Sequence, residues 1–96
     1  ADQWLGYAFP SAVFIHTVEI ANSAIGNAVK DIRIEHSDDG LDFYSVKSIA
    51  VNPVGDTVIQ IAAPGFHKHW RVFVESTVGD TYPCIKALNF KGFLQP

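Results

Sequence analysis

Methionine is absent from this 96-residue chain, cysteine occurs once, and charged residues make up only 18% of it. A lone Cys84 excludes an internal disulfide, so packing has to hold the fold together. The seven Lys and Arg are scattered from Lys30 to Lys91 against ten Asp and Glu, for a net charge of -3. That balance gives no basic field to gather phosphates, and nucleic acid is not an expected partner. No apolar run approaches the roughly 20 residues that cross a bilayer, so no membrane insertion is expected. The opening Ala-Asp-Gln-Trp-Leu-Gly lacks the layout of a signal peptide. Because the chain starts at Ala1 and has no methionine, it reads as a processed product or as a module of a longer protein. Nor does any stretch of about a dozen residues keep apolar spacing of three and four without Gly or Pro, which argues against a substantial helix.

What the chain does have is apolar side chains, 48% by number and spread along its whole length. At this size they suffice for one core, so residues 1–96 are expected to form a single domain. The clearest signal is alternation. In Asp31-Ile32-Arg33-Ile34-Glu35-His36 the isoleucines share one face of a strand and the charges share the other. Trp70-Arg71-Val72-Phe73-Val74-Glu75 repeats this, with Trp70, Val72 and Val74 inward and Phe73 the odd aromatic on the polar side. Residues 4–9, 13–20, 42–51, 57–62 and 85–93 also read as strands, about seven in all. Between them lie Gly, Pro, Asn and Asp, at Pro10, at Asn22 and Asn27, at Asp38-Asp39-Gly40, at Asn52 and Asp56, at Pro64-Gly65 and over residues 78–83. The expected fold is an all-β, antiparallel, jelly-roll-like sandwich whose core includes Ile32, Ile34, Trp70, Val72, Val74, Leu88 and Phe90. Trp4, Tyr7, Phe9 and Phe43 are also expected to be core residues, since they sit in alternating strands.

Four stretches together resemble a known family. Gln3-Trp4-Leu5-Gly6-Tyr7-Ala8-Phe9 resembles the early strand of discoidin-like domains, also called coagulation factor 5/8 type C or galactose-binding-like domains. The stretch from Ile32 through Ser37-Asp38-Asp39-Gly40 to Phe43 is similar to that family's strand, S-x-D-G hairpin and following strand. His69-Trp70-Arg71-Val72-Phe73-Val74-Glu75 resembles its penultimate strand, and Ile85-Lys86-Ala87-Leu88-Asn89-Phe90-Lys91-Gly92 its closing one. In wording these strands are closest to microbial and bacteriophage versions. The resemblance implies a galactose-binding-like sandwich that recognises glycans, other cell-surface ligands or other subunits without catalysis. It also implies an extracellular, cell-surface or virion setting. Many members carry a calcium-binding loop ahead of the W-x-G strand. Residues 1–96 do not include it, so no cofactor is expected unless that loop exists.

Chain direction reverses at every hairpin, so alternate loops gather at one end of a sandwich. The loops around Asn22 to Asn27, Asn52 to Asp56 and residues 78–82 then share an end, and in the family this is the ligand end. Asn22, Ser23, Asn27, Asp80, Thr81 and Tyr82 are the expected ligand-binding residues there, with the Tyr82 ring as the stacking surface. Other constellations read as structural. His67 and His69 would place two imidazoles on one side of a strand, but a zinc site wants four ligands. Asp38 and Asp39 read as a turn closed by Gly40 at positive φ rather than as a calcium site. Cys84 has no thiolate-stabilising neighbour. No G-x-S-x-G elbow or comparable nucleophile turn is present, so no enzymatic activity is expected.

Overall fold

A computed structural model describes residues 3–22, 29–52, 55–62, 65–77 and 85–95. Among them run six strands, β1 (Gln3–Asn22), β2 (Val29–Ser37), β3 (Tyr44–Ala50), β4 (Gly55–Gln60), β5 (His67–Thr77) and β6 (Ile85–Leu94), and no helix. Every pairing is antiparallel. Hydrogen bonds order the strands β3-β2-β5-β1-β4, with β6 also paired to β1.

β1 belongs to both layers. Its first half pairs with β5 from Gln3 opposite Val74 to Ala8 opposite His69, and the register then shifts before Val13 meets His67. Its second half runs between β4 and β6, from Thr17 opposite Gln60 to Asn22 opposite Gly55 and Ile85. Both ends of β1 lie near the end of β5, because Asn22 Oδ1 accepts the Val29 N–H at 2.9 Å and Val29 lies opposite Thr77. β1 therefore crosses the domain in one layer, turns a corner and returns in the other. Residues 4–9 and 13–20, read from the sequence as two strands, are one. Pro10 and Ser11 carry turn chemistry, yet they sit where the register shifts, and a proline missing its N–H is tolerated at a bulge of this kind without ending the strand.

One layer is β3-β2-β5 with the first half of β1; the other is β4 and β6 around the second half. Their inner faces share a single core. Ile32, Ile34, Trp70, Val72 and Val74 come from the first layer and Val18, Ile20, Ile59 and Leu88 from the second, with Phe9 and Phe90 packed partly buried against them. The Trp70 indole N–H donates to the carbonyls of Val13 (3.3 Å) and His67 (3.1 Å), so the large ring is buried with its polar group satisfied. At one end of the sandwich gather Asn22, Val29, Asn52, Gly55, Thr77 and Ile85, the strand ends from which the expected ligand loops depart. At the other lies the β2–β3 connection. There Gly40 has φ of 77°, and Asp39 Oδ1 accepts the Leu41 and Asp42 N–H groups and the Ser37 hydroxyl.

Three aromatics expected in the core are elsewhere. Trp4 is 54% exposed and on the outer face, since it lies opposite Phe73 rather than opposite an inward residue. Phe43 lies over Arg71, an outward-facing residue of β5. Tyr7 does face inward, opposite Trp70, but β1 is the outermost strand of its layer at that point, leaving the ring half-exposed against Phe9 and Phe90.

Candidate functional site

The outer face of the first layer collects the outward residues of three strands. Register places Trp4, Phe73 and Arg33 in one row, Gly6, Arg71 and Glu35 in the next, and Ala8, His69 and Ser37 in a third. Glu35, on the polar side of its strand, is nonetheless buried. Its carboxylate accepts Arg71 Nε at 2.7 Å and Arg33 Nε at 3.1 Å, and Arg33 also reaches Glu75 at 3.4 Å. One carboxylate thus fixes two guanidiniums flat against the sheet. Arg33 lies 4.2 Å above the Phe73 ring centre. Arg71 lies 3.7 Å from that of Phe43 and 5.2 Å from that of Trp4, within reach of cation–π attraction. Phe73, the odd aromatic on the polar side of its strand, is roofed by both arginines.

Gly6 opens a notch in this face. A Cβ there would strike the Trp70 carbonyl and the body of Arg71, so glycine at this position is what lets β1 approach β5 closely beside Trp4. The notch continues into a shallow groove of about 210 Å³ lined by Trp4, Tyr7, Ala8, Gly40, Phe43, His69 and Arg71. Among the described residues, three other hollows, on β1/β4/β6, β2/β3/β5 and β3/β4, contain no aromatic ring. The Trp4 groove joins a half-exposed indole to a guanidinium whose terminal nitrogens have no partner among the described residues. Chemically it offers a flat apolar surface and fixed hydrogen-bond donors at its edge.

Of the residues expected to bind ligand, Asn22 is buried, and its side chain ties loop bases together. Nδ2 donates to the carbonyls of Val29 and Asn52 while Oδ1 takes the Val29 N–H. Ser23, Asn27, Asp80, Thr81 and Tyr82 lie outside the described residues, as does Cys84. Phe66 packs with Phe14 and Phe93 and covers the sandwich end. The two histidines of β5 have different partners. His67 stacks on His36 at 3.5 Å and contacts Asp38 at 2.9 Å, whereas His69 meets Phe43 edge-on. Burial, with the neighbouring His67 adding to it, lowers the His36 pKa against a smaller opposing pull from Asp38. Asp39, fully exposed, is held down to about 2 by the Asp42 and Leu41 N–H groups and the Ser37 hydroxyl. No group of three or more His, Cys, Asp or Glu among the described residues is arranged to hold a metal.

Sequence reading missed Trp4, Phe43 and the two arginines as a unit. Alternation alone places Arg33, Arg71 and Phe73 outward, but the strand register that lays Trp4 beside them is written in no local motif.

No family model and no curated protein matches the sequence. In structure the chain is similar to the C-terminal domain of a chitobiase from Bacteroides fragilis, with a TM-score of 0.73 and 18% identity, over 90% of this chain. It spans 60% of that domain's length. The class so defined is an antiparallel β-sandwich, and at this identity the likeness speaks to the fold.

Proposed function

We propose that this domain is a non-catalytic carbohydrate-recognition module of the discoidin-like kind, and that it binds a glycan across the Trp4 groove. The observation that carries the reading is the half-exposed Trp4 ring set beside an immobilised Arg71 with donors to spare. A sugar presents an apolar C–H face and a rim of hydroxyl acceptors, which is the complement of a ring with a guanidinium at its edge. Support in kind comes from a similar fold at the C-terminus of a chitobiase. The setting that follows is extracellular, on a cell surface or a virion.

A single ring and a few hydrogen bonds in an open groove give roughly millimolar to high-micromolar affinity for one sugar, about -4 to -6 kcal/mol. NMR titration of the labelled domain with a panel of neutral and acidic sugars tests this. The expected shifts fall on Gly6, Phe43, His69 and Arg71, and Trp4→Ala weakens them at least about tenfold, or about 1.4 kcal/mol. Shifts confined to residues 78–82 and abolished by Tyr82→Ala would return the site to the end loops. No shift with any sugar would reject carbohydrate recognition and leave the rival reading, a structural module joining subunits.

A further inference from the structure

The first half of β1 has β5 on one side and, among the described residues, no strand on the other. Free sheet edges in soluble proteins are usually blunted by charge, proline or a bulge, because their unpaired N–H and C=O groups template another strand. Residues 3–8 of β1 carry no charge and no proline. Leu5 and Tyr7 lie opposite the buried Val72 and Trp70, hence on the interior side of the layer, yet they are 45% and 49% exposed. The interior is unfinished along this edge. On the other face Trp4 alternates with the small Gly6 and Ala8.

From this edge we propose that β1 pairs with β1 of a second copy, antiparallel about a two-fold axis through Gly6. Continuous faces require interior residues opposite interior residues, which leaves few registers. Centring on Tyr7 sets Pro10 opposite Trp4, where the missing N–H interrupts the ladder. Centring on Leu5 sets Gln3 opposite Tyr7 and leaves the ring without an apolar neighbour. Centring on Gly6 sets Leu5 opposite Tyr7 on the interior side and Trp4 opposite Ala8 on the outer side, twice each by symmetry, so apolar meets apolar and large meets small. The two first layers merge into one sheet of eight strands, and both Trp4 grooves open on the same side of it. The interface does not depend on the glycan reading, but the two together would give a bivalent glycan surface.

At ordinary side-chain areas the exposed parts of Leu5 and Tyr7, which the pairing covers while the Trp4 groove stays open, amount to roughly 200 Å² per copy. That is small beside the about 1,200 Å² of a stable complex, so the dimer is weak and depends on concentration. Sedimentation velocity from tens of micromolar to about a millimolar tests it, with association expected only in the upper range. Leu5→Lys and Tyr7→Glu should each weaken association more than about tenfold. An equimolar mixture of the two should recover it, because only the Gly6-centred register faces residue 5 with residue 7. Both positions are half-exposed, and near-ultraviolet circular dichroism confirms that each variant is folded. Amide exchange on the unmodified chain supplies a readout without substitution: the outward N–H groups of residues 3–8 should gain protection as concentration rises. A monomer at every concentration, or no recovery on mixing, would overturn the proposal. So would amides already protected at high dilution, which would mean that some other segment or partner covers the edge.

Discussion

The two layers of this sandwich have the same construction and opposite surfaces. Both alternate inward aliphatics with outward polar residues, and both contribute to one core. On the outside of the second layer, Lys91 pairs with Glu19 at 3.2 Å in an open ion pair, and Val58 and Phe93 are half-exposed with no guanidinium over them among the described residues. On the outside of the first layer, a buried Glu35 gathers two arginines, and three rings pack on their guanidiniums. The difference comes from a single buried acid and from aromatic residues at outward positions, and it turns one of two similar sheets into a rigid platform. An exposed ion pair is worth little because water screens it, whereas side chains held from several directions at once are already ordered before a ligand arrives.

The largest expected effect removes the ring on which the platform's layer is built. Trp70→Ala should lower unfolding free energy by about 3 to 5 kcal/mol, measured by chemical denaturation, and Leu88→Ala in the second layer by about 2 to 3, near the bottom of the usual range because Leu88 is at the rim of the core. Equal losses would mean that the two layers share the core evenly.

The contrast between ion pairs comes next in size. Glu35→Ala should cost about 1 to 3 kcal/mol, below the figure for a fully buried pair because the arginines are partly exposed. Glu19→Ala should cost less than about 1 kcal/mol. Thermal melts showing the two variants alike would remove the distinction between platform and ordinary surface.

Acidity separates the layers more gently. The His36 pKa is lowered in the folded state from its ordinary 6.5, and its buried Nδ1 has no hydrogen-bond partner among the described residues. The unfolded chain therefore binds the proton more readily. The stability from neutral His36 is complete above about pH 6.5 and is lost as pH falls from there through the lowered folded value. His67, Asp38 and Tyr44 are the titratable groups around it. His36→Phe should flatten the stability profile between about pH 7 and 5. The smallest effect belongs to Asp39. Its pKa is depressed to about 2, so its contribution is present above the ordinary carboxylate range and is lost as pH falls through that value. Asp39→Asn should remove this acid limb from melts recorded at low pH.

Much of the sandwich was legible in the sequence because alternation and turn residues are local. Ile32, Ile34, Val72 and Val74 declare an inward face within six residues of chain, and Gly40 declares its turn within three. Pro10 misled for the same reason, since a local break signal marked a corner inside one strand. The platform was not legible. Trp4 and Phe73 are neighbours only because β1 pairs with β5 in one register and not the next, and a shift of one residue would turn Trp4 inward. Phe43 reaches Arg71 from a loop. Asn22 looked like a ligand group because asparagine in a loop often is one, and only long-range contacts to Val29 and Asn52 reveal its structural use.

The chain has two tryptophans, Trp4 half-exposed and Trp70 buried, so quenching of their fluorescence by iodide reports on Trp4 alone. The account predicts that a sugar which binds the domain in NMR titration also shields Trp4, lowering the quenchable fraction in step with saturation. A sugar that binds while Trp4 stays as quenchable as before would contradict the assignment of recognition to this face.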